Sequence, residues 1–233
     1  MDSRPRPPTP QKYSTDLPAR VHRRVLIVLQ AVMAVELILV FYEKQWANAF
    51  LIMTIMAVTL SPTVLGRRFR VYIPPEFQVL AVVFVFAALF LGEIHSYYAR
   101  FWWWDIALHT SSGLLMGILG FLLVYVLNES ENVDIHMRAH FVALFAFLFA
   151  VMVGTLWEIF EFAMDQIVGT NMQKPMLGDP SGLTDTMWDM IVNAMGALAI
   201  SALGWWYIKR REHSFIEAWI RKFIERNPRL FRS

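Results

Sequence analysis

The chain has 233 residues, 57% of them hydrophobic and 17% charged, with a net charge of +2 and a pI near 9.0. Soluble domains carry roughly 45–50% apolar and about 25% charged residues; here the charges are also segregated, which argues against a soluble domain and assigns the basic balance to membrane flanks rather than to nucleic-acid binding. The absence of cysteine excludes disulfides, zinc–thiolate sites and thiol catalysis, leaving His, Asp and Glu as ligands or acid–base groups.

Residues 1–23 are polar and contain Pro5, Pro7, Pro8 and Pro10, the composition of a disordered cytoplasmic arm. The apolar run that follows starts too late for a cleavable signal and is long enough to span. A spanning helix needs about 20 mostly apolar residues. Six segments qualify: Arg24 to Tyr42, Trp46 to Leu65, Phe77 to Gly92, Asp105 to Leu127, Phe141 to Met164 and Thr186 to Ile208. The third is the shortest and extends toward Tyr97 if its boundary is relaxed. Pro62 is expected to kink or end the second helix, and Pro74-Pro75 marks the turn into the third. The expected fold is therefore all-α, a polytopic six-helix membrane domain over residues 24–208.

Residues 209–233 read as a basic amphipathic helix. Phe215, Ile216, Trp219, Ile220, Phe223 and Ile224 recur at helical spacing, opposite Glu217, Arg221, Lys222 and Arg226. Such a stripe lies along the cytoplasmic headgroups or packs on the loops of its own bundle. Trp102-Trp103-Trp104 and Trp205-Trp206-Tyr207 sit at predicted helix ends, as an interfacial aromatic belt does.

Lysine and arginine positions set the expected orientation. With the N-terminus inside, 18 of the 21 basic residues fall on cytoplasmic segments, and only Lys44, Arg100 and Lys174 fall on the outer side. That is a large positive-inside bias, so both ends are expected in the cytoplasm.

The acidic residues distribute differently. Of 19 carboxylates, ten fall in outer loops or the outer halves of helices: Glu36, Glu43, Glu93, Asp105, Glu158, Glu161, Asp165, Asp179, Asp185 and Asp189. By helix rise, Glu36 and Glu158 lie about 10 Å inside their outer helix ends, and His109 and Asp189 about 6 Å inside theirs. Within each helix the polar residues share a face: Glu36 with Glu43, Asp105 with His109 and Ser112, Glu158 with Glu161 and Asp165, Asp185 with Asp189 and Asn193. A carboxylate in hydrocarbon costs at least about 2.5–3.5 kcal/mol near the centre, so these groups should face the bundle interior. Clustered carboxylates repel, so protons or a cation must sit among them. The expectation is a polar cavity open to the outer face and lined by the first, fourth, fifth and sixth helices.

Simpler roles compete for individual residues. Asp105 and Asp185 stand where helix N-caps stand; Glu161 and Asp165 fit the headgroup layer; His109 alone fits a hydrogen-bonded interior histidine. Glu158 and Asp189 resist such readings, because no basic residue is near them in sequence. Gly113, Gly117 and Gly120 point to close helix packing. The outer loop from Gln166 to Thr184 is a connector or a lid.

Three motifs carry a family resemblance: Phe101-Trp-Trp-Trp-Asp105-Ile-Ala-Leu-His109-Thr-Ser-Ser-Gly113, Trp157-Glu158-Ile-Phe-Glu161-Phe-Ala-Met-Asp165 and Gly182-Leu-Thr-Asp185-Thr-Met-Trp-Asp189-Met-Ile-Val-Asn193-Ala-Met-Gly196. With the six-helix pattern they resemble the YjdF-like family of uncharacterised bacterial inner-membrane proteins. The resemblance implies the bacterial cytoplasmic membrane and no assigned reaction. The run Asp189 to Gly196 is also distantly similar to the VanZ-like membrane proteins, but the basic residue expected before the Asp is absent.

Three functions fit these residues. A metal-dependent hydrolase or transferase acting on an outer-leaflet lipid or envelope substrate would use Glu158, Asp189 and His109 catalytically. Its ion, a divalent Mg, Mn or Zn, would draw ligands from His109, Glu158, Glu161, Asp165, Asp185 and Asp189, with Glu36, Asp105 and Asn193 in support. A proton- or cation-coupled transporter would use the same acids, although no ionisable residue lines the cytoplasmic half of the helices. A non-catalytic assembly protein would use them only to lock the bundle. Membrane lipids are the expected surroundings, and no nucleic-acid partner is expected.

Overall fold

The structure, a computed structural model, describes residues 16–69, 74–129, 138–210 and Arg226. Among these the chain is helical throughout its regular elements: α1 (Asp16–Tyr42), α2 (Trp46–Phe69), α3 (Pro75–Val85, continuing as a π-helical stretch Phe86–Ile94), a single turn α4 (Tyr97–Arg100), α5 (Trp104–Glu129), α6 (Ala139–Val168) and α7 (Leu183–Arg210). Five stretches among the described residues are long and apolar enough to cross a membrane: Ala19–Tyr42, Pro75–Ile94, Trp104–Val124, Ala139–Val168 and Leu183–Arg210; α2 contributes a shorter apolar stretch, Trp46–Ser61. Large side chains such as Leu148, Leu156, Ile159 and Phe162 on α6 face outward, as a lipid-facing surface requires.

Helix boundaries depart from the sequence expectation by a few residues throughout, and the first three helices show why. α1 begins at Asp16, so residues 16–23 of the expected arm are helical. α2 continues through Pro62 to Phe69 instead of ending there; prolines persist in apolar helices where neighbouring groups take up the freed carbonyl. The third helix starts at Pro75, whose fixed φ suits a first helical position, and reaches Ile94 only by widening to i→i+5 hydrogen bonding over its last nine residues. The expected amphipathic helix over 209–233 lies outside the described residues beyond Arg210, apart from Arg226, which is helical.

Packing divides the molecule into two halves. α1, α2 and α3 pack on one another, and α5, α6 and α7 pack on one another, with α4 and the π-helical stretch between them. The first half is built on Met33, Val40, Ala49, Ile52, Ile55 and Phe90, with Gln30 Nε2 donating across α1–α2 to Thr59 Oγ1 at 2.8 Å. The second is built on Phe121, Val124, Val142, Ala143, Ala146 and Ile200. α5 and α7 approach so closely that a Cβ on Gly113 would strike the Asn193 backbone carbonyl, and one on Gly196 would strike the Thr110 carbonyl. That contact fixes which residues of α5 and α7 face each other at the end where both helices begin.

Candidate metal centre

At that end, α5 and α7 begin and α6 finishes, so three helix termini surround one space. α5 supplies Asp105 and His109 one turn apart, α6 supplies Glu158, and α7 supplies Asp185, Asp189 and Asn193 at successive turns. Glu158, Asp185, Asp189 and Asn193 are all buried to within 3% of full exclusion.

His109 is the hub. Its Nε2 lies 3.3 Å from Asp105 Oδ1 and 3.9 Å from Asp189 Oδ2. Its Nδ1, on the opposite edge of the ring, lies 3.5 Å from Glu158 Oε1. One ligand atom each from Asp105, His109 and Asp189 fall within 4.8 Å of one another. Bonds of about 2.0–2.2 Å to a common ion separate ligand atoms by roughly 3–4.4 Å, so the set would need to close only slightly. Both carboxylate oxygens of Glu158 and of Asp189, and Asn193 Oδ1, are buried without a well-formed hydrogen bond among the described residues. The Asn193 amide reaches Ala150 O at 3.4 Å, in space left by the missing side chain of Gly154. Two buried carboxylates sharing one histidine cost several kcal/mol unless neutralised. A divalent cation beside Asp189, or protons shared through His109, supplies that neutralisation.

The other candidate residues turn elsewhere. Asp165, expected as a ligand, organises the α6–α7 loop: it accepts from Thr170 Oγ1 at 2.6 Å, Met172 N at 2.7 Å and Gln173 N at 2.9 Å. Glu161 accepts from Trp157 Nε1 on its own helix at 2.8 Å. Asp185 accepts from the Lys174 backbone N–H at 2.7 Å, tying the loop to α7. Neither Asp105 nor Asp185 is an N-cap. Asp179 performs that work for α7, receiving Thr184 N at 2.9 Å and Ser181 N at 2.8 Å. These bonds, with those from the Ser181 and Thr184 hydroxyls, hold the Asp179 carboxyl below the usual carboxylate range. Glu36 stands on α1, whose packing partners are α2 and α3, so the expected contribution of the first helix to this space is absent among the contacts of the cluster.

Beside the cluster opens a cavity of about 980 Å³, lined among others by Glu93, Tyr98, Arg100, Trp102, Asp105, Lys174, Leu177, Asp185 and Trp188. Lys174 Nζ lies 3.6 Å from Glu93 Oε1, donates to Asn171 O and stands 5.6 Å over the Tyr98 ring. Burial, then the carboxylates of Asp105, Glu93, Glu161 and Asp189, raise the Tyr98 phenol above its ordinary value and keep it protonated. Sequence reading counted Arg100 among the three outer cations without giving it a role and passed over Tyr98; the one positional signal for them is the short turn immediately before the aspartate motif.

A protein of Thermotoga maritima described as uncharacterized is 29% identical to the chain over 143 residues, which cover 61% of this chain and 69% of that protein. No solved structure matches. Residues 24–210, which hold the whole cluster, match the family described as Predicted membrane protein (DUF2238), and the chain belongs to that family.

Proposed function

We propose that the chain holds a divalent metal ion on Asp105, His109 and Asp189, at a site opening to the outer face of the bacterial cytoplasmic membrane, as part of a hydrolase or transferase for a lipid or envelope substrate. In this reading the chain spans six times with both ends cytoplasmic. The residues before Asp16 form the cytoplasmic arm and those after Arg210 a basic amphipathic segment at the inner headgroups, as the distribution of Lys and Arg favours. Two carboxylates and one imidazole suit Mg, Mn or Zn.

The observation that carries the reading is the pair of buried carboxylates, Glu158 and Asp189, set on opposite edges of one histidine. Asp189 joins Asp105 at Nε2 as ligands. Glu158 at Nδ1 is better suited to accept that N–H, fixing the ring so that Nε2 offers its lone pair to the ion, as carboxylates commonly do behind metal-bound histidines. Glu158 is therefore a positioning residue rather than a ligand. Bound there, the ion would polarise a phosphoryl or acyl oxygen or acidify a water. Asp165, Asp179 and Asp185 hold the loop that borders the cavity.

Two features weigh against the other functions. A polar lock serving only assembly gains from satisfied hydrogen bonds, and both oxygens of the Asp189 carboxylate are buried without one among the described residues. A through-path for ions needs continuous polar lining below Asn193, and there α5, α6 and α7 pack on Phe121, Val124, Ala146 and Ile200, with Ser201 as the buried polar side chain.

The test is elemental analysis of purified protein beside Asp189→Asn, together with labelling of single cysteines in this cysteine-free chain. The expected result is about one divalent ion per wild-type chain, lost in Asp189→Asn with helix content retained. An impermeant maleimide should reach Leu177→Cys in whole cells, and Arg138→Cys only after permeabilisation. Metal-free wild type whose melting is unmoved by divalent ions would overturn the metal; the reverse labelling pattern would overturn the orientation.

A further inference from the structure

The cavity beside the cluster joins three chemistries in one space. Asp105, a ligand in the proposed centre, forms part of its wall, and Arg100 and Lys174 line the same space. The chain offers only three basic residues on the side read as external, Lys44, Arg100 and Lys174, so two of the three converge here. Lys174 is engaged by Glu93 at 3.6 Å. Arg100, exposed at the end of α4, makes no ion pair or side-chain hydrogen bond among the described residues.

The arrangement of these groups then favours one class of ligand. Glu93 is paired with Lys174 and Asp185 is held by the Lys174 backbone N–H, while Arg100 has no carboxylate within ion-pair distance among the described residues. A guanidinium, an ammonium and an open metal valence on separate elements match the several oxygens of a phosphoryl group better than the two of a carboxylate.

Beside Ser96, Asn171 and Asp185, the wall carries large apolar side chains. Trp102 and Trp188 line it, and so does Leu177. Leu177 occupies the first central position of a two-residue turn closed by mutual bonds of Met176 N to Asp179 O at 3.2 Å and Asp179 N to Met176 O at 2.9 Å. Its φ is +50° and that of Gly178 is +84°. Such turns favour Asn-Gly, because a branched apolar side chain adopts positive φ at a cost. Here the position holds a leucine that is 81% exposed. A strained and exposed apolar side chain beside two cations is suited to touching an acyl chain while the cations hold a headgroup.

Resting on the metal reading above, we infer that this cavity binds a phosphoryl-bearing amphiphile, with Arg100 and Lys174 on the phosphoryl group and Leu177 on the hydrocarbon.

The experiment uses the full chain in dodecyl maltoside. Mn²⁺ uptake is followed by electron paramagnetic resonance, and dioctanoyl phosphatidic acid, inorganic phosphate or dioctanoylglycerol is then titrated in. The Mn²⁺-loaded wild type should bind the phosphatidic acid at least about tenfold more tightly than either other probe. Arg100→Gln should take up Mn²⁺ normally and bind the phosphatidic acid about tenfold more weakly. Leu177→Asn should weaken the phosphatidic acid and leave inorganic phosphate unchanged. Equal affinity for inorganic phosphate, lost in Arg100→Gln, upholds phosphoryl recognition but assigns it a soluble source and removes the role of Leu177. Normal Mn²⁺ uptake with dioctanoylglycerol bound as tightly as phosphatidic acid, or with Arg100→Gln indistinguishable from wild type, overturns this inference and leaves the metal centre standing. Wild type that takes up no Mn²⁺ overturns both.

Discussion

Replacing Glu158 by Gln separates a metal centre from a structural lock, because the two predict different patterns in the presence and absence of metal. The substitution keeps side-chain volume and burial but removes the carboxylate 3.5 Å from His109 Nδ1. Partners of this kind behind a metal-bound histidine are worth about 10–100-fold in metal affinity. At an ion concentration about 100 times the wild-type Kd, binding stabilises the native state by about 2.7 kcal/mol; a 10–100-fold loss reduces that to roughly 1.4–0.4 kcal/mol. For a chain of this size the difference is a fall of roughly 3–9 °C in melting temperature. In chelator the sign differs. Glu158 is buried without a well-formed hydrogen bond, so a neutral amide there should leave the metal-free melting temperature unchanged or raise it. The assay is thermal unfolding of wild type and Glu158→Gln in EDTA and in Mg²⁺, Mn²⁺ or Zn²⁺. Equal falls with and without metal would refute the assignment, since only a structural role lowers both.

Other expectations follow from the same contacts. Asp165→Ala removes an acceptor of three loop bonds; limited proteolysis within 169–182 should rise by roughly tenfold, the worth of one charge-assisted hydrogen bond, with metal uptake retained. Gly113→Ala drives a methyl into the Asn193 carbonyl and should destabilise the protein by about 1–3 kcal/mol, read as a lower melting temperature. The folded-state pKa of Asp179 is depressed, so its support for the loop is fully present above the ordinary Asp value of about 3.9 and fades only as pH falls below it. Protease protection of the loop should accordingly persist through pH 5, and Asp179→Asn should abolish that protection at neutral pH.

The membrane class and the polar faces of three helices were legible in the sequence because each depends on spacing along one helix. The i,i+4 step from Asp105 to His109 became a 3.3 Å contact, and the Asp185-Asp189-Asn193 step became three buried side chains. What the spacing does not carry is which helices meet. Glu36 shares the calculated depth of Glu158, yet α1 packs into the other half of the molecule. Asp165 and Glu161 share a face with Glu158 but lie closer to the helix end, where loop amides and the Trp157 indole compete for them. Tyr98 escaped notice, and Arg100 was counted only as an outer cation, because both gain their place from the widened end of α3 and the short turn after it, features with no periodic signature. The division of labour between the two edges of His109 is likewise a matter of three dimensions.

The segregation of the fold into halves also orders events during synthesis. The carboxylates set against His109 come from α5, α6 and α7, and Asp189 stands on the last of these three, beyond the loop. A nascent chain inserts its earlier helices first, so an arrested or truncated product would present Asp105, His109 and Glu158 with one wall missing. The cluster would be completed in a single step, when α7 seats its glycines against α5, and a partly made polypeptide would lack the third wall of the proposed centre.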